Sequence, residues 1–172
     1  MIKIAGSLMI LLTSVCLGFL KGQQYEDRIS DIKVLEHIFR ELLSDIEFGK
    51  ITVAESFARI EKTVPEPFGR FLKNVCGEVK WKRGRSLESI FVGEVEQCLE
   101  KSALETADLR RLKELGRYMG AAERQSQIHS IQNYLRELNI TREQLERKAP
   151  DRKKICRVFG FCGGIFLLIL LL

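Results

Sequence analysis

The side chains able to do chemistry are few and poorly grouped for it. Only two histidines occur, His37 and His129. His37 lies beside the apolar stripe of a helical pattern, and His129 stands among Ser, Gln and Asn, so both read as surface or boundary residues. The five cysteines, Cys16, Cys76, Cys98, Cys156 and Cys162, are odd in number, widely spaced and without a CxxC pair. That spacing excludes a disulfide framework and suits a reducing compartment for the middle of the chain. The sequence has no P-loop, no dinucleotide-binding glycine motif, no HExxH and no GxSxG elbow. Carboxylates are plentiful, but they alternate with Lys and Arg, as in Glu143-Gln144-Leu145-Glu146-Arg147, the pattern of a solvated helix face. The expectation is a protein that is not an enzyme, with no catalytic residues, no cofactor, no metal and no small-molecule substrate.

One cluster stands out by charge. Lys80, Lys82, Arg83 and Arg85 surround Trp81, the only Trp of the chain. Such a connector can dock an acidic partner or anionic headgroups. The reading the residues favour, however, is a solvated loop whose Trp tucks into the bundle. The overall charge does not extend the cluster to nucleic acid. The 28 Lys and Arg against 23 Asp and Glu give only +5, spread along the chain, and no nucleic-acid partner is expected.

The elements that must position this connector are helices. Hydrophobic residues make 45% of the chain and charged residues 30%, with only 3 prolines, which excludes disordered and low-complexity classes and leaves room for a core. No alternating strand pattern occurs between the ends. Ile32, Leu35, Phe39, Leu42 and Ile46 step by three and four, and Phe48-Gly49 supplies a glycine stop. Thr52 to Glu55 reads as a capping box opening a second helix with Val53, Phe57 and Ile60. Pro65 ends it, and Pro67 suits the first turn of a third helix with Phe68, Phe71, Leu72 and Val75. Ser86 caps a fourth, carrying Leu87, Ile90, Phe91, Val95 and Leu99. Ser102 to Glu105 reads as a second capping box, before a fifth helix through Leu109, Leu112 and Leu115. Gly116 and Gly120 bracket a break. A long sixth helix follows with Ile128, Ile131, Leu135 and Leu138; Arg142 interrupts the stripe before Leu145, and Pro150 closes it. The first and sixth helices are expected to pack antiparallel as a stem.

The two ends are apolar. Residues 4–20 carry no charge, and residues 155–172 have Arg157 as their only one. At 1.5 Å per residue these stretches reach about 22–27 Å, close to a bilayer core once flanking Lys and Arg snorkel. Alternatives are a cleaved signal peptide or lipoprotein site for the first and a buried core helix for the second. Gly18-Phe19-Leu20-Lys21 offers no small-residue cleavage site, and the second ends without a polar face. Gly160 and Gly164 satisfy the GxxxG spacing of close-packed membrane helices. Lys148, Arg152, Lys153, Lys154 and Arg157 flank the second segment on one side and orient it. The expected organisation is a transmembrane anchor over 1–20, a cytoplasmic bundle of about six helices over 21–154, and a second transmembrane anchor over 155–172.

Several short motifs resemble the stage III sporulation protein AB family of endospore-forming bacteria. They are Leu17-Gly18-Phe19, Ile46-Glu47-Phe48-Gly49, Leu115-Gly116-Arg117-Tyr118-Met119-Gly120 followed by Gln127, Ile128 and His129, and Gly160-Phe161-Cys162-Gly163-Gly164. The likeness spans the chain. One departure is Ala121-Ala122-Glu123, where the family tends to place Ser-Asp as a helix cap. The resemblance implies an all-α domain similar to the cytoplasmic domain of type II secretion F proteins. It also implies a platform or adaptor role in a secretion-like channel complex between mother cell and forespore. Its implied partners are a stage III sporulation protein AA-type ATPase, the other subunits of that complex, and membrane lipid. The implied location is the mother-cell membrane around the forespore, with the central domain in the mother-cell cytoplasm. The interface residues expected on this reading are Lys80, Lys82, Arg83 and Arg85, with Leu115, Gly116 and Gly120 as the second candidate. The alternative function is a helical membrane module that transduces a signal through its paired stem helices.

Overall fold

The computed structural model describes the backbone of residues 2–48, 51–80, 86–120 and 123–171, and the side chains of residues 23–48, 51–79, 86–120 and 123–147. Six helices and no strand occur among the described residues: α1 (Ile2–Phe48), α2 (Val53–Ile60), α3 (Phe68–Lys80), α4 (Leu87–Leu99), α5 (Thr106–Met119) and α6 (Arg124–Leu171). The chain divides into two compact units, Ser30–Arg142 and the pair of segments Met1–Ile29 with Glu143–Leu172. The second unit holds the first part of α1 and the last part of α6. Among its described side chains, Ile29 and Leu145 are buried.

The Ser30–Arg142 unit is an all-α bundle whose core follows the three-four spacing closely. Ile32, Leu35, Phe39 and Leu42 are wholly buried on α1, with Ile46 nearly so. Phe57 and Ile60 bury the inner face of α2, and Phe68, Phe71, Leu72 and Val75 that of α3. Ile90, Phe91, Val95 and Leu99 do the same for α4. Neighbours in sequence pack in space: α2 on α3, α3 on α4 and α4 on α5. Phe91 sits at the centre, edge-on to Phe71 with ring centroids 5.1 Å apart and stacked with Phe57 at 6.4 Å. Each such aromatic pair adds about 0.5–1.5 kcal/mol to the burial of its rings.

The helix starts follow from local hydrogen bonding. Thr52 Oγ1 accepts from the Glu55 N–H at 3.3 Å, and the Glu55 carboxylate accepts from the Thr52 N–H at 2.9 Å, completing the expected capping box. Ser86 Oγ accepts from the Ser89 N–H at 3.2 Å, as a cap should. Pro67 stands just ahead of α3, and its carbonyl accepts from the Phe71 N–H at 3.1 Å.

Four expectations need correction. Ser102 does not cap α5; its hydroxyl donates to the Leu99 carbonyl at 2.6 Å and so closes α4. The start of α5 is held by Asp108, whose carboxylate accepts from the Glu105 N–H at 3.0 Å. Gly116 marks no break, because α5 runs through it to Met119. A Cβ at Gly116 would lie 2.5 Å from Phe91 Cδ1, so glycine here lets α5 approach α4. Leu135 is only half-buried, and Tyr134 takes the core position instead, edge-on to Phe39 at 5.1 Å. Finally, Pro150 does not end α6, which continues to Leu171. Proline removes one backbone hydrogen bond and crowds one carbonyl, which weakens a helix without necessarily ending it.

Within the bundle α1 and α6 run antiparallel, as expected. Near one end Glu47 Oε1 accepts from Gln132 Nε2 at 3.2 Å. Farther along, Phe39 meets Tyr134, and Glu36 meets Arg142 at 3.0 Å. Residue numbers fall on α1 as they rise on α6, so positions 30 and 142 leave the bundle at the same end.

No helix is long and apolar enough to cross a membrane among the described residues searched. The two expected anchors, 1–20 and 155–172, lie outside the residues whose side chains are described. Their backbone is helical from Ile2 in α1 and to Leu171 in α6.

Candidate partner interface

Polar joints between helices organise the bundle. The largest of them ties α1 to α2. Asp45 Oδ2 accepts from Ser56 Oγ at 2.6 Å and from Arg59 Nη2 at 2.7 Å, while Glu41 accepts from the same Arg59 nitrogen at 3.1 Å. Burial alone would raise the Asp45 pKa, but the hydrogen bonds from Arg59 and Ser56 together outweigh it and hold the carboxyl below its ordinary range. A second joint fastens α6 to the end of α1. Arg124 Nη2 donates to the carbonyls of Ile46 and Glu47, the latter at 2.8 Å. A cation there satisfies carbonyls the helix leaves open and complements its dipole. Gln127 satisfies a carbonyl at the end of α5 without charge, donating from Nε2 to Met119 O at 3.1 Å.

None of these groups is arranged for nucleophilic or acid–base work. His37 and His129 are exposed on separate helices. Cys76 is buried with its thiol on the Ala54 carbonyl at 3.3 Å. Burial, followed by the neighbouring Glu94 carboxylate, pushes the Cys98 thiol up and keeps it protonated at neutral pH. No group of three or more His, Cys, Asp or Glu could hold a metal among the described residues.

The expected interface residues fall in three places. Lys80 ends α3, and its side chain, together with Lys82, Arg83 and Arg85, lies outside the described residues. Of the second candidate set, Leu115 and Gly116 are buried, Gly116 against Phe91 of α4, while Gly120 is exposed at the end of α5. The exposed large side chain of that motif is Tyr118, at 52%. Lys148, Arg152, Lys153, Lys154 and Arg157 belong to α6, again with side chains outside the described residues.

The sequence profile of the stage III sporulation protein AB family matches residues 3–172, essentially the whole chain. The chain belongs to that family. A curated relative, stage III sporulation protein AB of Bacillus subtilis (strain 168), is 22% identical over 172 residues, covering 100% of both chains. A solved structure of a stage III sporulation protein AB superposes with a TM-score of 0.66 at 18% identity, over 72% of this chain and 97% of that one. At that identity the superposition speaks for the fold alone, and it agrees with the all-helical bundle. Family membership carries a role in sporulation.

Packing accounts for the motif at residues 115–120, one of those that carried the resemblance. Leu115 and Met119 fill the core, Gly116 admits Phe91, and Gly120 caps α5 with its carbonyl end closed by Gln127. Gln127 is itself one of the residues that carried the resemblance. The spacing between the two pieces reflects one packed corner where α5 ends and α6 begins.

Proposed function

We propose that this protein is a non-enzymatic platform subunit, held at the mother-cell membrane by both ends, whose helical bundle docks a secretion-type ATPase of the sporulation channel complex. The observation that carries this reading is the antiparallel pairing of α1 with α6, fixed by the Glu36–Arg142 contact at 3.0 Å. It brings both exits of the Ser30–Arg142 unit to one end, and each exit continues as helix toward an apolar terminal stretch. A domain tethered at two points of one face can present the rest of its surface to the cytoplasm.

The absence of any phosphate-cradling motif in the sequence supports the division of labour, since the energy must then come from another chain. The resemblance to the type II secretion F domain supports the identity of that chain as a stage III sporulation protein AA-type ATPase. On this reading the basic connector, Lys80, Lys82, Arg83 and Arg85, meets an acidic surface of the ATPase. The test is affinity purification of the full-length chain from membranes of sporulating cells. Co-purification of the ATPase supports the docking role, and its consistent absence while other membrane subunits are recovered refutes it.

A further inference from the structure

Every position of the family motif at 115–120 but one has a clear task within the bundle. Leu115 and Met119 are buried, Gly116 makes room for Phe91, and Gly120 ends α5. Arg117 reaches Glu88 of α4, Nε to Oε1, at 3.5 Å. Tyr118 remains. It lies half-exposed on a pocket of about 280 Å³ formed by α5 and α6. That volume is below the range of pockets that take drug-sized ligands, and it suits a single side chain.

The lining is acidic and rich in acceptors. Glu114 and Glu137 bring carboxylates to it, and Ser130 and Asn133 bring neutral polar groups. Arg111 is the only cation that lines it among the described residues, and its charge is already engaged. Nη1 donates to Thr141 Oγ1 at 3.1 Å and lies 3.8 Å from the buried Asp108, while Nε lies 3.6 Å from Glu137. Tyr134 also lines the pocket; it is 5% exposed, and its phenol oxygen is the one buried side-chain polar atom without a hydrogen-bond partner among the described residues. A buried hydroxyl left in that condition costs free energy that a ligand group can recover. Burial first, and then the Asp108 charge, hold the phenol far above its ordinary pKa, so it stays a neutral hydroxyl.

We infer that this pocket receives an arginine side chain presented by a protein partner. A guanidinium carries five N–H donors and no acceptor, which matches a lining of carboxylates and a phenol oxygen in want of a partner. Its flat face stacks on an exposed tyrosine ring such as Tyr118, and its charge meets Glu114. An anion would face Glu114 and Glu137 together. The second groove, about 750 Å³ between α4 and α5, is a weaker candidate for a cation because three cations, Arg110, Lys113 and Arg117, line it themselves. The inference rests on the docking reading only in taking the partner to be a protein.

The probe is the peptide acetyl-Gly-Arg-Gly-amide, titrated into the full-length chain in detergent micelles and followed by NMR of labelled tyrosine rings. Two controls replace the arginine by citrulline, which keeps the shape and loses the charge, or by lysine. Saturable shifts of the Tyr118 and Tyr134 signals are expected in the millimolar range, with both control peptides weaker by about fivefold or more. Glu114→Gln and Tyr118→Ala, both at exposed positions, should each weaken the arginine peptide by about three- to tenfold while circular dichroism stays unchanged. Equal binding of the citrulline or lysine peptide, absence of saturable tyrosine shifts, or indifference to Glu114→Gln would each overturn the inference. The peptide assay contains no ATPase, so its failure leaves the docking reading standing, and failure of ATPase co-purification leaves the pocket result standing.

Discussion

Arg142 of α6 donates from Nε to Glu36 Oε1 of α1 at 3.0 Å, and the carboxylate it meets is only 8% exposed. Arg40 holds the other carboxylate oxygen at 3.2 Å, and Arg142 also donates to Asn139 Oδ1 at 2.6 Å. Where the apolar stripe of α6 is interrupted, α1 supplies the matching charge. A buried carboxylate that loses its partner is costly, whereas replacing a whole pair by apolar groups is often neutral. Arg142→Ala should therefore destabilise the protein by about 3 kcal/mol, the low end for a broken buried pair because Arg40 remains. The double change Glu36→Leu with Arg142→Leu should recover most of that loss. Thermal melting of the full-length chain in detergent, followed by circular dichroism, checks both outcomes.

Gly116 provides a second test, of packing alone. A methyl group there would stand 2.5 Å from Phe91 Cδ1 and 3.1 Å from Cγ, with Phe91 wholly buried between Phe57 and Phe71. Moving the ring aside would disturb its contacts with both neighbouring rings. Gly116→Ala should cost about 1–3 kcal/mol despite the better helix propensity of alanine. A melting temperature at or above that of the parent chain would show that α4 and α5 are packed less closely.

These two sites show what the sequence could and could not disclose. The stripes of α1 to α4 were legible because burial repeats at the helical period, and nothing else accounts for Ile32, Leu35, Phe39, Leu42 and Ile46. The pairing of α1 with α6 was legible for the same reason. Leu135 misled because hydropathy ranks leucine above tyrosine. The core position went to Tyr134, which gains Phe39 as a ring partner and hides its hydroxyl. Arg142 read as a defect in the stripe, since its partner lies 106 residues away and no local pattern joins them. Ser102 fitted a capping box by spacing, yet Asp31 of α1 accepts the Ala103 N–H at 2.8 Å and shapes that turn from afar. Of the candidate interface, charge alone singled out the connector, while the pocket beside Tyr118 needed α5 and α6 placed side by side.

Acid should loosen the joint between α1 and α2. The Asp45 carboxyl titrates below its ordinary value in the folded chain because the bonds from Arg59 and Ser56 outweigh its burial. Its contribution is thus complete above the unfolded pKa of about 3.9 and disappears as pH falls through the lower folded value. Asp45→Asn should lower the melting temperature at neutral pH, and the gap to the parent should close below about pH 4. Melting curves of both proteins across that range check the sign; a gap that widens in acid would reverse the assignment.

If both ends insert in the membrane as proposed, the basic residues at 148–157 set the topology. They should stay on the cytoplasmic side and keep the bundle there. Arg110 is exposed on α5, so a cysteine introduced by Arg110→Cys, in a chain whose native cysteines are replaced by serine, reports on that side. An impermeant thiol reagent should label it only after the cells are permeabilised. Ready labelling in intact cells would place the bundle outside.

Docking of a motor ATPase by this bundle, as proposed, is decided by binding between the two purified proteins. The full-length chain in detergent is titrated with the stage III sporulation protein AA-type ATPase at two salt concentrations, beside the triple variant Lys82→Glu, Arg83→Glu and Arg85→Glu. Each rim charge contributes at most about 1 kcal/mol, so reversing all three is the fair comparison. The expected result is a specific complex that weakens with salt and weakens about tenfold or more in the triple variant, whose circular dichroism matches the parent. No detectable complex with the parent chain at either salt concentration would contradict the platform role.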